Sequence, residues 1–533
     1  MSKRSAADGQ PEGQAYPKIS GSAPRRNDTV ADEMGEFEDA WEDEIESEEE
    51  PVDGEAGGRE DGTRKCRYTS FMDYNTLCTP GMDIDEVMPA IEESEEPAPE
   101  PQAYIPGAHV LGKDEILEPD DTVYIMRHSM NVTWPCLSFD VLRDNLGDGR
   151  QRYPATAYIV AGTQADQASN NEFSVYKMSS LHRTQKDGDD SDSDGEDNED
   201  DLDEDPVLEF RSVPHKGGVN RVRAQPLPPS SALPPVSQPY YAATWAETGK
   251  VHIWDIRPLI ESLDTPGYSL DKARTNNPVF TINSHGRTEG FAMDWASSGG
   301  ANPSALRLLT GDVHSKIYLT TTTPSGFNAL TQPFTSHTSS IEDIQWSPSE
   351  PTVFASCSAD RSIQVWDVRT RGRQSATGID RAHESDINVI SWNRSTAYLM
   401  LSGGDEGGIK VWDLRSVKAR NSPGDSPSPV AAFTWHSAPI TSIEWHPTED
   451  STFVASGADD QITLWDLAVE QDDEQVGAPM NETPEGGRDV PSQLLFIHQG
   501  QKDIKEVHWH PQIPGTVIST ALDGFNIFKT ISI

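Results

Sequence analysis

The chain carries a short alternation of apolar and polar residues that returns four times: GKVHIWDIR (249–257), RSIQVWDVR (361–369), GGIKVWDLR (407–415) and DQITLWDLA (460–468). Alternation with period two marks a half-buried strand, and each run contains Trp-Asp near its end. A second alternating run stands upstream, as in TVFASCSAD (352–360) and STFVASGADD (451–460). Ahead of it come a His and a third run ending in Trp: HTSSIEDIQW (337–346), HESDINVISW (383–392) and HSAPITSIEW (436–445). Trp366, Trp412 and Trp465 are spaced 46 and 53 residues apart. A three-strand unit repeated at that interval cannot bury its own faces, which predicts a stacked all-β array.

Composition changes the picture at the ends of this array. Of the 13 Trp only Trp41 precedes residue 130, so the packed core is expected beyond that point. The net charge of −46 is concentrated: residues 28–55 hold 15 Asp and Glu, 83–100 hold 8 and 187–205 hold 13, none with a Lys or Arg among them. Blocks of like charge repel themselves, so these segments, with the whole of 1–102, are expected to be disordered and to attract basic partners. A direct grip on nucleic acid is not expected, because phosphate binding needs clustered cations. Cys66, Cys78, Cys136 and Cys357 form no CxxC pair, so neither a disulfide framework nor a zinc site is expected, and a reducing compartment fits. The N-terminal MSKRSAADGQPEG has no apolar core, and no apolar run reaches the ~18 residues of a membrane span.

The recurring strings resemble the repeats of the WD40 family. The resemblance implies a seven-bladed β-propeller in which a His, a Ser or Thr, a turn acid and the Trp indole form one buried network per blade. Carried onto this chain, the networks are His337–Ser356–Asp360–Trp366, His383–Ser402–Glu406–Trp412 and His436–Ser456–Asp460–Trp465. A last blade has His498, Ser519 and Asp523 but Phe528 in place of Trp, so its network is expected to be incomplete. Two blades are irregular. One has His215 and Trp254 around an insertion at 227–239; the next has His285, Thr310 and His314 but Thr320 where Trp belongs. The first blade is read from CLSFDVL (136–142), PATAYIVAGT (154–163) and EFSVYKMSSL (172–181), with the acidic loop 183–205 placed between blades one and two. The C-terminal run FNIFKTISI leaves the last blade one strand short, and DTVYIMRHS (121–129) is expected to close it, giving a propeller over 103–533.

Recurrence in register is what a packing motif does, so these His, Ser and acid residues are read as structural, and the chain as a non-enzyme without cofactor or metal. No Walker loop, GxSxG, HExxH or DFG-type motif is present, and GGDEGG (403–408) sits between two strands as a hairpin turn.

Three stretches carry a narrower resemblance: residues 115–165, with PCLSFDV and AGTQA, then HKGGVNRVRAQP (215–226), and TEGFAMDW with LLTGDVHSKIYL (288–319). They look like the glutamate-rich WD-repeat family of ribosome-assembly factors. That resemblance implies a nuclear and nucleolar monomer that binds a newly made basic large-subunit protein, protein three in universal numbering, and delivers it to pre-ribosomal particles. Acidic runs containing Glu48, Glu49, Glu50, Asp189, Asp190, Asp192, Asp194, Asp200 and Asp201 would screen such a client through individually weak, exchangeable ion pairs. On the propeller, WD40 register puts Asn220, Glu289, Glu342, Asp386 and Asn388 towards the narrow face, with the three acids suited to a basic client. Ser47, Ser191 and Ser193 have an acid three residues downstream and read as phosphorylation sites. Clusters at Lys3-Arg4, Arg25-Arg26 and 64–67 read as import signals. Two other functions stay open. HKGGVNRVR also resembles histone-binding WD40 proteins of nucleosome assembly, and the Arg after Trp-Asp at 257, 369 and 415 resembles the docking signature of cullin ubiquitin-ligase receptors.

Overall fold

A computed structural model describes residues 104, 106, 119–184, 205–229, 231–296, 306–417, 427–470 and 490–533. Every alternating run becomes a strand, and the strands assemble into seven four-stranded antiparallel sheets, each ordered from an inner to an outer strand. Blade one is Cys136–Leu142, Ala155–Thr163, Glu172–Leu181 and Val207–Pro214; blade two is Val219–Ala224, Tyr241–Ala246, Val251–Asp255 and Phe280–Ile282. Blade three runs Ala292–Trp295, Arg307–Gly311, Ile317–Thr323 and Gly326–Ala329, and blade four Ile341–Trp346, Val353–Ser358, Ile363–Asp367 and Thr377–Ile379. Blade five is Ile387–Trp392, Leu399–Gly404, Ile409–Asp413 and Ala431–Phe433, and blade six Ile440–Trp445, Thr452–Gly457, Ile462–Asp466 and Leu494–His498.

Blade seven takes three strands from the C-terminus, Glu506–Trp509, Thr516–Ala521 and Gly524–Thr530. Its outer strand is Tyr124–Asn131, paired from Tyr124↔Thr530 to Asn131↔Gly524. The expected closure is therefore observed, and it pairs an otherwise raw sheet edge.

The apolar residues of each blade fall on its two faces and meet those of its neighbours in seven clusters, one per seam. The seam between blades seven and one (Met126, Phe139, Ile159, Phe525, Ile527) is built like the rest, so the ring is closed. Close approach across a seam selects glycine. At Gly403, the fifth residue of its strand, an added Cβ would lie 2.5 Å from Ile440 Cγ2.

One expectation is corrected here. The acidic insertion does not join blades one and two: it leaves Leu181 and returns at Val207, so it connects the third and fourth strands within blade one. Period-two reading finds the inner three strands but misses Val207–Pro214, whose mixed VLEFRSVP lacks clean alternation. The insertion at 227–239 lies between the first two strands of blade two, as expected, and is packed against the blade. Leu233 is buried against helix α1 (Arg257–Asp264), Pro234 accepts from Arg257 Nε at 2.6 Å, and Leu233 N–H donates to Asn145 at 2.7 Å.

Candidate partner-binding surface

The geometry is clearest in blades four and five. Ser356 Oγ lies 2.8 Å from both Trp366 Nε1 and His337 Nε2, and His337 Nδ1 lies 2.9 Å from Asp360. A carboxylate only accepts, so Nδ1 carries the proton and the serine hydroxyl donates to Nε2. Trp412, Ser402, His383 and Glu406 repeat the chain, with 2.8 Å from the indole to Ser402 and 2.6 Å from Ser402 to His383. Burial pulls the His383 pKa below its ordinary value despite Glu406 alongside. The ring is buried and both of its nitrogens are engaged within the blade, so it serves to pack the blade.

Blade six corrects the expected network. His436 Nδ1 bonds Asp459, not Asp460, and both His436 Nε2 and the Trp465 indole bond Thr463 Oγ1 at 2.9 and 2.8 Å. Ser456 instead meets Thr441 at 2.8 Å, and Asp460 accepts the Asp503 N–H. The reason is register. From the His, the hydroxyl, acid and Trp of blades four and five stand 19, 23 and 29 residues on, which in blade six are Ala455, Asp459 and Trp465. Ser456 is one residue out and so projects from the opposite face. Thr463, two residues before the Trp on the same face, supplies the missing hydroxyl.

The irregular blades are completed by other means. His215 and Trp254 share Thr244, with the Gly217 carbonyl where an acid would be. His285 bonds Thr310 and Asp312 at 2.8 Å each. In blade seven Phe528 stacks on His498 at 4.0 Å, Tyr124 bonds His498 at 2.8 Å, and Ser519 bonds Gln501. Burial pushes the His498 pKa down to about 3.

Around the channel lined by the inner strands, a second pattern recurs. The residue before the Trp position of one blade accepts from the Trp-position N–H of the next: Asp140 from Ala224, Asp294 from Trp346, Gln345 from Trp392, Ser391 from Trp445, Glu444 from Trp509. Burial pushes the Asp294 carboxyl up to about 7. At the closing seam Glu506 takes over, accepting Phe139 N–H at 2.8 Å while 2.8 Å from the guanidinium groups of Arg221 and Arg223. His508 completes this cluster, 3.0 Å from Glu444 and 3.5 Å from Glu506. Burial opposes its charge, but the two carboxylates win and raise its pKa to about 10. Sequence reasoning misses all of these residues, although MDW, IQW, ISW, IEW and VHW repeat a polar residue before the strand-ending Trp.

The five propeller residues expected at a binding face divide into two groups. Asp386 and Asp405 come together, the Asp405 N–H donating to the Asp386 carbonyl at 3.0 Å, and burial raises the Glu342 pKa against Ser340 and Arg221, with the two aspartates adding to the rise. Asn388 joins them by donating to Asp405 at 2.8 Å. Asn220 is buried and bonds the Gly290 carbonyl and Glu289, so it shapes the seam, while Glu289 is exposed beside it. Residues 47–50 and 189–201, with Cys66, Cys78 and the basic clusters, lie outside the described residues. Cys136 and Cys357 are buried free thiols, and burial pushes Cys136 up to about 12. Among the described residues no group of His, Cys, Asp and Glu is arranged to hold a metal, and no helix is long and apolar enough to cross a membrane.

Fold and networks define a WD-repeat β-propeller, and the WD domain, G-beta repeat model matches residues 328–367, 375–413 and 427–466, each running from the outer strand of one blade through the first three strands of the next, up to blades four, five and six. The family model of histone-binding protein RBBP4, which also covers the corresponding component of the CAF1 complex, matches 114–182. The chain is 46% identical to ribosome assembly protein rrb1 of Schizosaccharomyces pombe, over 96% of this chain and 97% of that protein. It is 44% identical to glutamate-rich WD repeat-containing protein 1 of Dictyostelium discoideum over 80% of this chain and 84% of that one. Histone acetyltransferase type B subunit 2 of Aspergillus oryzae is 27% identical over 49% of this chain and 57% of its own length. The chain belongs to the WD40 family of ribosome-assembly proteins.

Proposed function

We propose that this protein is a binding scaffold of ribosome biogenesis, without catalysis, that takes custody of a newly made basic large-subunit ribosomal protein and delivers it to pre-ribosomal particles. The observation that carries the reading is 46% identity to a ribosome assembly protein along 96% of the chain. The client is read as large-subunit protein three, and the site of action as the nucleus and nucleolus. Charge supports a basic client. A ribosomal protein that has not met its RNA carries unneutralised cations, and this chain has a net charge of −46. Polyanionic segments supply a high local anion concentration, and the Glu342, Asp386 and Asp405 group adds a fixed acidic point on the propeller. Phosphorylation at Ser47, Ser191 and Ser193 would deepen the same polyanion.

A histone client is the second reading, favoured by the histone-binding model over residues 114–182. Affinity capture of the tagged full chain followed by mass spectrometry separates the two, with and without residues 187–205. Large-subunit protein three is expected in the eluate, with a smaller yield from the deleted chain. Core histones recovered without any large-subunit protein would reverse the ranking.

A further inference from the structure

Each blade ends in an outer strand, and the far edges of such strands are normally blunted by being short or charged. In blades two to six the outer strands run only 3, 4, 3, 3 and 5 residues. Blade seven has an 8-residue outer strand, but its exposed positions are the polar Ser129 and Asn131, and Ile125 already accepts the Thr184 N–H at 3.1 Å. Blade one differs. Its outer strand, Val207–Pro214, is also 8 residues long and exposes Val207 (45%) and Phe210 (50%).

The two faces of this strand are unequally covered. Val213 packs with Phe173, Trp254 and the helix α1 residues Leu259, Ile260 and Leu263 on the side of blade two. Leu208 packs against the cluster that holds Tyr176, Met178 and Met130 on the other side, and Phe210, two residues on, shares that side with its ring 5.7 Å from Tyr176. Among the described residues, the backbone of 207–213 pairs with the third strand and with no other segment, and the Phe210 carbonyl accepts from the neighbouring Arg211 guanidinium at 2.8 Å. Asp205 and Glu209 are exposed here, whereas Lys177 lies 3.1 Å from Asp264 and Arg211 donates to the Ser262 carbonyl. The chain reaches this strand directly from the run 187–205 with its 13 acids.

We propose that the outer edge of blade one, residues 207–213, takes an extended basic segment of the client as a fifth strand, with Phe210 seating one of its apolar side chains. Main-chain bonds along a free edge give affinity, and alternate side chains give selectivity. Asp205 and Glu209, exposed at the strand, supply the charge that suits the cations of that segment. This rests on the basic-client reading above, and the test separates the two.

The probe is a fluorescent synthetic 14-residue peptide of alternating Lys and Val, titrated onto the full chain, with hydrogen exchange followed in parallel. Slowed exchange at 207–213 and affinity about tenfold lower for Phe210→Ala are expected, with Leu522→Asp, an exposed change on blade seven, unaltered. Phe210→Ala keeps the charge constant, and its half-exposed position leaves the fold intact, which its melting temperature checks. Equal affinity for Phe210→Ala without protection at 207–213 overturns the edge, leaving the client reading standing. A chain with the 187–205 acids changed to Asn and Gln is expected to bind less. Unweakened binding by that chain counts against the basic client itself.

Discussion

Glu506 is 1% exposed and answers two guanidinium groups, an imidazolium and one backbone N–H, so its replacement leaves several partners unmatched at once. Breaking a buried pair from one side costs about 3–5 kcal/mol, and Glu506→Gln is expected to lose that much in a urea unfolding titration. The pH dependence follows from the two shifts. Burial, outweighed by Arg223, His508 and Arg221, leaves Glu506 well below its ordinary value, so its contribution is present above about pH 4.3 and fades as pH falls through the folded value. His508 has the opposite sign: its contribution is complete below the unfolded value of about 6.5 and is lost as pH rises through about 10. Wild-type stability is therefore expected to fall between pH 7 and 10, and His508→Gln to flatten that slope in urea midpoints taken across the range. A second comparison tests the network register. Thr463→Val removes a hydroxyl bonded to both His436 and Trp465, whereas Ser456→Ala removes only the bond to Thr441. Losses of about 2–4 and about 1 kcal/mol are expected, and the reverse order would put Ser456 back in the network.

At the scale of elements, strand existence is legible wherever one face is buried and the other is polar. CLSFDVL is the observed inner strand of blade one residue for residue. The outer strand Val207–Pro214 is not legible, because an edge strand is half solvated on both faces and its sequence loses period two. The His-to-acid and His-to-Trp spacings are visible, yet residue type alone favours Ser456 over Thr463, and strand register overrules it. Which small residue must stay small is a matter of seam geometry. Gly403 faces Ile440 at a separation that leaves no room for a methyl group, and Gly403→Ala is expected to cost about 1–3 kcal/mol, measured by thermal unfolding.

For the whole molecule, stability depends on the N-terminal closing strand as much as on the repeats. Tyr124–Asn131 pairs the last strand, brings Tyr124 to His498 at 2.8 Å and buries Met126 and Met130 in the seam with blade one. A chain starting at residue 103 is expected to melt as the full chain does, while one starting at residue 132 exposes the paired edge of Gly524–Thr530 and is expected to aggregate. Size-exclusion chromatography with a thermal melt of each distinguishes them.

The sequence by itself determined the repeated strands, their spacing and the concentration of charge, because alternation, spacing and composition are properties of neighbouring residues, and its resemblance to WD40 repeats supplied the seven blades and the closing strand. Only the tertiary structure decided which hydroxyl completes the blade-six network, how Glu506 ties the first two blades to the last, and that Asp386 and Asn388 meet Asp405. Those pairings join residues as many as 367 positions apart, as Phe139 is from Glu506, and no local pattern encodes a distance that the closing of the ring creates.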